Sequence, residues 1–160
     1  MRQVNPTHID ALLALVNAGP YFELLSMKVC EIRAGYARVE MDFERKHLNN
    51  FGAIHGGVYA SLIDTAAYWS VYCDLDEQAG YTTIDLSVNN LSMIREGRIL
   101  VEGRAIKTGR SICLAEAAAK GADGRLLAYG TSKLMLLDGK QSVAEMVKAR
   151  GWQPLPPKFV

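Results

Sequence analysis

"NNFGAIHGGVYASLIDTAAYWSVYC", residues 49–73, decides how this chain folds. The apolar run predicts a helix from about Gly56 to Cys73, and its only formally charged residue is Asp64. A helix that is otherwise apolar on every side belongs inside a protein. Asp64 stands about two turns from the helix start, too deep to cap it or to gain much from its dipole. Burying an ion without partners is costly, so this carboxylate needs a structural partner, such as an Arg or a backbone amide, or a chemical task. Gly57, Ala60, Ser61, Asp64 and Tyr68 share one stripe at helical spacing. That stripe is smaller and more polar than the opposite one of Val58, Leu62, Ala66 and Trp69, as the lining of a channel would be.

His55-Gly56-Gly57 leads into the helix. Two glycines permit a sharp turn and let another molecule approach the backbone closely. The first helical N–H groups have no partner inside the helix, and the dipole adds positive potential there. An oxyanion developing on a carbonyl would be stabilised at that point. A plain turn with a hydrogen-bonded loop histidine is the competing account of these three residues.

On either side of this stretch the pattern is mostly strand. Upstream, residues 6–18 predict an amphipathic helix capped near Thr7, with Ile9, Leu12, Leu13 and Val16 on one face and Gly19-Pro20 ending it. "SMKVCEIRAGYARVEMDF" then predicts a hairpin turning near Ala34-Gly35. Downstream, "TTIDLSVNNL" alternates, placing Ile84, Leu86 and Val88 on one face and Thr83, Asp85 and Ser87 on the other. "RILVEGRAIK", "SICLAEAAAK" and "RLLAYGTSKLMLL" follow, the last two joined across Ala122-Asp123-Gly124, where Asp-Gly readily takes positive φ. "AEAAAK" has helical propensity, but a place between strands joined by a tight turn overrides it. A short helix and a proline-rich extended tail occupy residues 141–160. The expectation is an α+β fold: one antiparallel sheet of five or six strands curling around one long helix, in a single domain spanning residues 1–160.

Composition narrows the function. A net charge of +1 with scattered basic residues gives no reason to propose nucleic acid or a membrane surface as partner. The start, "MRQVNPTHIDALLALVNAG", has too short an apolar stretch and no clean cleavage site for a signal peptide, and no segment is apolar enough to span a bilayer. Cys30, Cys73 and Cys113 are odd in number, far apart and set among apolar neighbours, as expected of reduced thiols in a cytoplasmic protein. His8, His47 and His55 lack the spacing that zinc demands, so no metal is expected.

The segments "HLNNFGAIHGGVYASLID", "TTIDLSVNNLSMIREG" and "VEGRAIKTGRSICLAEAAA" resemble the hotdog-fold acyl-CoA thioesterases, specifically the phenylacetate-pathway-like (PaaI-type) branch. The resemblance covers a core of about residues 24–137. It implies that the helix is wrapped by the sheet, that protomers join edge to edge as a homodimer or homotetramer, and that active sites form between them. It implies hydrolysis of an acyl-CoA to a free acid and coenzyme A with no cofactor beyond the coenzyme A of the substrate. Asp64 matches the catalytic carboxylate, as nucleophile or as general base. Gly56 matches the backbone donor to the thioester oxygen, with Gly57 beside it, and His55 matches the histidine at the thioester. Asn49 matches an upstream polar residue that holds nucleophile or water, with Asn50 its rival. Thr83 matches a hydroxyl residue supplied by the partner protomer, and a hydroxyl there can donate to a carboxylate and accept from water. Arg95 and the "KTGR" segment, with Lys107, Gly109 and Arg110, are candidates for the coenzyme A phosphates. Met93 departs from the proline usual before that turn. The alternatives are a hotdog hydratase or dehydratase, which the order His-Gly-Gly then Asp fits less well, and an acyl-CoA-binding sensor. Activity of the wild type beside Asp64→Ala separates enzyme from sensor.

Overall fold

A computed structural model gives the structure over residues 3–160; Met1 and Arg2, the first residues of the N-terminal stretch weighed above, lie outside the described residues. Four helices and six strands follow in the order α1 (Pro6–Asn17), α2 (Pro20–Leu25), β1 (Met27–Arg33), β2 (Tyr36–Asp42), α3 (Gly56–Ser70), β3 (Gly80–Asn90), β4 (Arg98–Thr108), β5 (Ile112–Gly121), β6 (Leu126–Leu137) and α4 (Val143–Ala149). The strands form one antiparallel sheet in the order β1-β2-β4-β5-β6-β3. This is the curved sheet around a long helix that the sequence predicts, with six strands.

The sheet grips α3 on one side. Leu62, Ile63, Ala66 and Ala67 are completely buried against it, so Leu62→Ala would cost about 2–5 kcal/mol. Two glycines let the helix come this close. A Cβ on Gly103 of β4 would lie 2.1 Å from the Ala66 carbonyl, and one on Gly130 of β6 would lie 2.9 Å from Ile63 Cγ2 and 2.4 Å from the Ser87 carbonyl. The other side of α3 carries the small polar stripe, where Ala60, Ser61, Asp64, Thr65 and Tyr68 stay half-buried. The helix is therefore enclosed on one side only. It ends at Ser70, three residues before the predicted end, and tightens into a 3-10 turn at Tyr72–Asp74.

In β3 the structure corrects the predicted facing of side chains. The register against β6 shifts between Thr83 and Asp85, which makes Ile84 an extra, bulged residue. A bulge of one residue reverses the alternation beyond it. Thr83 pairs with the buried Leu134, and Leu86 with the buried Ser132, so Thr83 shares the inner face with Leu86 and Val88. Asp85, which the strict alternation grouped with Thr83, faces outward and meets Lys133 at 2.5 Å.

The termini differ from expectation in two details. Asn5 rather than Thr7 caps α1; its side chain accepts from the Thr7 N–H at 3.1 Å, and Pro6 takes the first helical position. A second short helix, α2, follows Gly19, where the sequence suggested only a break; Pro20 starts this helix instead of merely ending the previous one. The C-terminal tail returns across the molecule and is clasped by Lys158. Its ammonium is fully buried, donates to the Tyr72 carbonyl at 2.6 Å and the Leu75 carbonyl at 2.8 Å, and lies 3.9 Å above the Tyr72 ring. Burial pushes its pKa down to about 8. Among the described residues no helix is long and apolar enough to cross a membrane.

Candidate active site

Asp64 projects from the half-buried stripe of α3 and accepts a hydrogen bond from the Thr83 hydroxyl at 2.9 Å. The bulge at Ile84 makes this contact possible, because without it Thr83 would face the outside of the sheet. The contact lies within one chain, which corrects the expectation that Thr83 reaches Asp64 from a partner. Burial raises the Asp64 pKa, and the Thr83 hydrogen bond pulls it partly back. The result is a carboxylate more basic than in water, with one oxygen oriented by Thr83 and the other left for chemistry.

The turn into α3 is built by short-range hydrogen bonds. Asn49 Oδ1 accepts from the Phe51 and Ala53 N–H groups at 2.9 and 3.2 Å, and its Nδ2 reaches the Ile54 carbonyl at 3.4 Å. Asn49 thereby shapes the loop, and the neighbouring Asn50 is exposed. His55 is the N-cap of α3: its Nδ1 accepts from the Gly57 N–H at 2.9 Å. That bond occupies Gly57, so of the two expected backbone donors only Gly56 keeps an N–H without a partner among the described residues. Because Nδ1 accepts, the ring hydrogen of a neutral His55 sits on Nε2, where it can be donated. Asn90, at the end of β3, places its Nδ2 where it would come within 2.6 Å of a Cβ on Gly56. Sequence reasoning passed over Asn90; only the antiparallel course of β3 along α3 reveals it.

Gly56 and Asp64 do not meet within one chain. Eight residues of helix separate them by about 12 Å, several times the reach of one carbonyl group. The basic candidates are also divided. Arg95 lies next to the turn, since the Ile54 N–H donates to the Ile94 carbonyl at 3.1 Å. Lys107 lies near the other end of the eleven-residue β4, and Gly109 and Arg110 just beyond it, about 30 Å along the strand. All three basic side chains are exposed.

A cavity of about 460 Å³ opens beside Asp64, within the usual size range of small-molecule sites. Its walls come from the α3 stripe, from Val16, Tyr21 and Phe22 near the N-terminus, from Leu86 on β3, and from Met146 and Arg150 on and after α4. These wall residues, other than those on α3, were invisible as site residues in the sequence. The one available signal was Gly19-Pro20, where a helix begins as well as ends.

The family model described as "Thioesterase superfamily" matches residues 51–128, the stretch that holds His55, Gly56, Asp64 and Thr83. Over that stretch the chain is similar to this superfamily. A protein provisionally named an esterase, from Saccharolobus solfataricus, is 27% identical over 123 residues, covering 77% of this chain and 87% of its own. Mouse acyl-coenzyme A thioesterase 13 is 26% identical over 115 residues, 69% of this chain and 81% of its own. A Haemophilus influenzae thioesterase crystal structure superposes with a TM-score of 0.78 at 18% identity, covering 88% of this chain and 97% of that one, and so shares the fold. The matched region contains the carboxylate, its hydroxyl partner and the open N–H. It excludes α1, α2 and α4, which close the cavity. No group of three or more His, Cys, Asp or Glu side chains able to hold a metal occurs among the described residues.

Proposed function

We propose that the protein hydrolyses an acyl-CoA to a free carboxylic acid and coenzyme A, with each site shared between two protomers. Thioester hydrolysis is the chemistry of the superfamily; the assignment of roles rests on the 2.9 Å Thr83–Asp64 hydrogen bond in a half-buried setting. Asp64, ionised and poorly solvated, takes a proton from water as that water adds to the carbonyl carbon, or attacks the carbon itself to form an acyl-aspartyl anhydride that water then hydrolyses. The N–H of a Gly56 polarises the carbonyl oxygen, with the His55 Nε2–H and Asn90 Nδ2 as neighbouring donors. When the C–S bond breaks, the coenzyme A thiolate leaves and takes up a proton.

The 12 Å separation requires that this Gly56 belong to a partner. β3 is a sheet edge eleven residues long, with Ile84 and Leu86 partly exposed. Such an edge is a ready template for pairing with a second copy. Thr83 lies beside Asp64 and Asn90 beside Gly56, so β3 runs antiparallel to α3. Antiparallel pairing of two β3 strands about their middle would bring the Thr83 end of one against the Asn90 end of the other. Asp64 of one protomer then faces the Gly56 turn of its partner. The coenzyme A phosphates would meet Arg95, beside that turn, while the Lys107–Arg110 loop lies at the Thr83 end of the Asp64-bearing protomer.

The deciding experiment compares wild type with Asp64→Asn on a panel of short, medium, long and aryl acyl-CoAs. Asn keeps the acceptor for Thr83 and the side-chain size but loses the charge. Hydrolysis is expected to fall by at least about a hundredfold on the best substrate, with folding and acyl-CoA binding retained. Near-normal turnover would reduce Asp64 to a structural residue.

A further inference from the structure

Resting on that reading of the Asp64 site, we propose that Arg150 selects acyl groups that carry a carboxylate at their far end. The cavity beside Asp64 is lined mainly by apolar and aromatic side chains, and among the described residues its only formally charged lining residues are Asp64 and Arg150. Asp64 is committed to the thioester. Arg150 is held in place: its Nη2 donates to the Ala18 carbonyl at the end of α1. Its Nη1 lies close to Gly19, 3.7 Å from where a Cβ would stand there. Among the described residues no carboxylate pairs with Arg150, so Nη1 and Nε remain to donate. Arg150 is exposed, and a guanidinium with a free edge at an otherwise apolar wall matches a carboxylate better than a hydrocarbon end.

The outer wall between these charges is also anchored. Ser61 gives its single hydrogen to the Gly57 carbonyl at 2.9 Å, so the Tyr21 hydroxyl, 2.6 Å from Ser61 Oγ, is the donor of that pair. This bond fastens α2 onto α3 one turn before Asp64. A hydrocarbon acyl chain would fill the apolar walls equally well but leave the guanidinium unused. The substrate class is accordingly the mono-thioester of a dicarboxylic acid, and its selectivity is written in segments outside the matched superfamily region.

The test compares adipoyl-CoA with hexanoyl-CoA, which share chain length and differ in the terminal carboxylate. Wild type is expected to prefer adipoyl-CoA in kcat/KM. Arg150→Gln is expected to reduce that preference by about tenfold or more, as for loss of a charged hydrogen bond, with the loss falling mainly on adipoyl-CoA. Arg150→Lys keeps the charge without the fork and should retain part of the preference. Equal use of both substrates by wild type would overturn the proposal. So would an equal loss on both in Arg150→Gln, because the guanidinium would then serve the common coenzyme A portion or the packing of α4. If hexanoyl-CoA is cleaved in an Asp64-dependent manner with no adipoyl preference, only the Arg150 proposal fails. If neither is cleaved, nor any acyl-CoA of the panel, both fail.

Discussion

Replacing Gly56 with proline deletes one backbone N–H and little else. Gly56 is the first residue of α3, where an N–H has no intrahelical partner and proline is a favoured residue. The preceding His55 has φ −71° and ψ 132°, a conformation that suits a residue before proline. The helix therefore loses no hydrogen bond, and a stiffer unfolded chain should leave the melting temperature unchanged or slightly raised. One steric effect must be separated. Any Cβ at this position would come within 2.6 Å of Asn90 Nδ2, so the Asn90 carboxamide must move. Gly56→Ala imposes the same displacement but keeps the N–H, and it is the proper reference. If the Gly56 N–H carries the developing oxyanion, Gly56→Pro should fall below Gly56→Ala by about 10²–10³ in kcat, or about 2.7–4 kcal/mol. Release of free coenzyme A thiol, followed spectroscopically under saturating acyl-CoA, measures this directly. A proline variant within about threefold of the alanine variant, equally folded, would refute the assignment of that N–H as an oxyanion donor.

Mixing Asp64→Asn with Gly56→Pro under conditions of subunit exchange should restore activity to about a quarter of wild type, since half the dimers become mixed and each has one intact site of two; a mixture as inactive as its parts would mean that both residues serve a site within one chain. Thr83→Val removes the hydrogen bond that favours ionised Asp64, so the acid limb of the kcat/KM profile should move to higher pH; an unmoved limb would separate Thr83 from Asp64 titration. Asp64→Asn should be more stable than wild type near neutral pH. The raised Asp64 pKa means that the native state holds its proton longer than the unfolded chain, so wild-type stability declines as pH rises from about 3.8 to the native pKa, and the variant's advantage, read by denaturant melts, should disappear below that window. Lys158 has the opposite sign. The unfolded chain binds its proton more tightly between pH about 8 and 10.5, so wild type should gain up to about 3 kcal/mol relative to Lys158→Met across that range; parallel stability curves would show that Lys158 is not buried as a cation.

The elements that a single residue pattern specifies were readable. The all-apolar helix with one carboxylate, the Asp-Gly hairpin and the alternating strands each carry a local signal. Gly124 has a φ of +79° at the predicted turn, and "AEAAAK" lies in β5 against its own helical propensity. The bulge at Ile84 was not readable, because an extra residue in one strand shows only once its partner strand is known. One unseen residue thus reversed the predicted face of Thr83 and made its contact with Asp64 possible within one chain. The hydrogen bond that engages the Gly57 N–H follows from the cap role of His55. The motif placed both glycines together without saying which N–H stays open. The contributions of Tyr21, Met146 and Arg150 were hidden for another reason: segments more than a hundred residues apart in sequence meet only in the fold.

The division of the site follows from the geometry of the helix itself. An oxyanion donor must sit at a helix N-terminus, because only there does a backbone N–H lack a helical partner. A carboxylate kept basic by burial must sit deeper, where the sheet and Thr83 shield it. One straight helix cannot meet both demands at one carbonyl. Two copies of the helix running in opposite directions can, each giving its N-terminus to the other's middle. In the proposed dimer the exposed β3 edge would supply the symmetry operation that sets them so, with the Thr83–Asp64 and Asn90–Gly56 neighbours at its two ends setting the spacing. On this account dimerisation is part of the catalytic geometry. A monomeric variant made by placing a lysine at the exposed, bulged position Ile84 should fold and keep its sheet, yet lose hydrolysis as completely as Asp64→Asn. A monomer confirmed by light scattering that retained wild-type turnover would require both groups to reach one thioester across about 12 Å of the same helix, and would overturn the shared site.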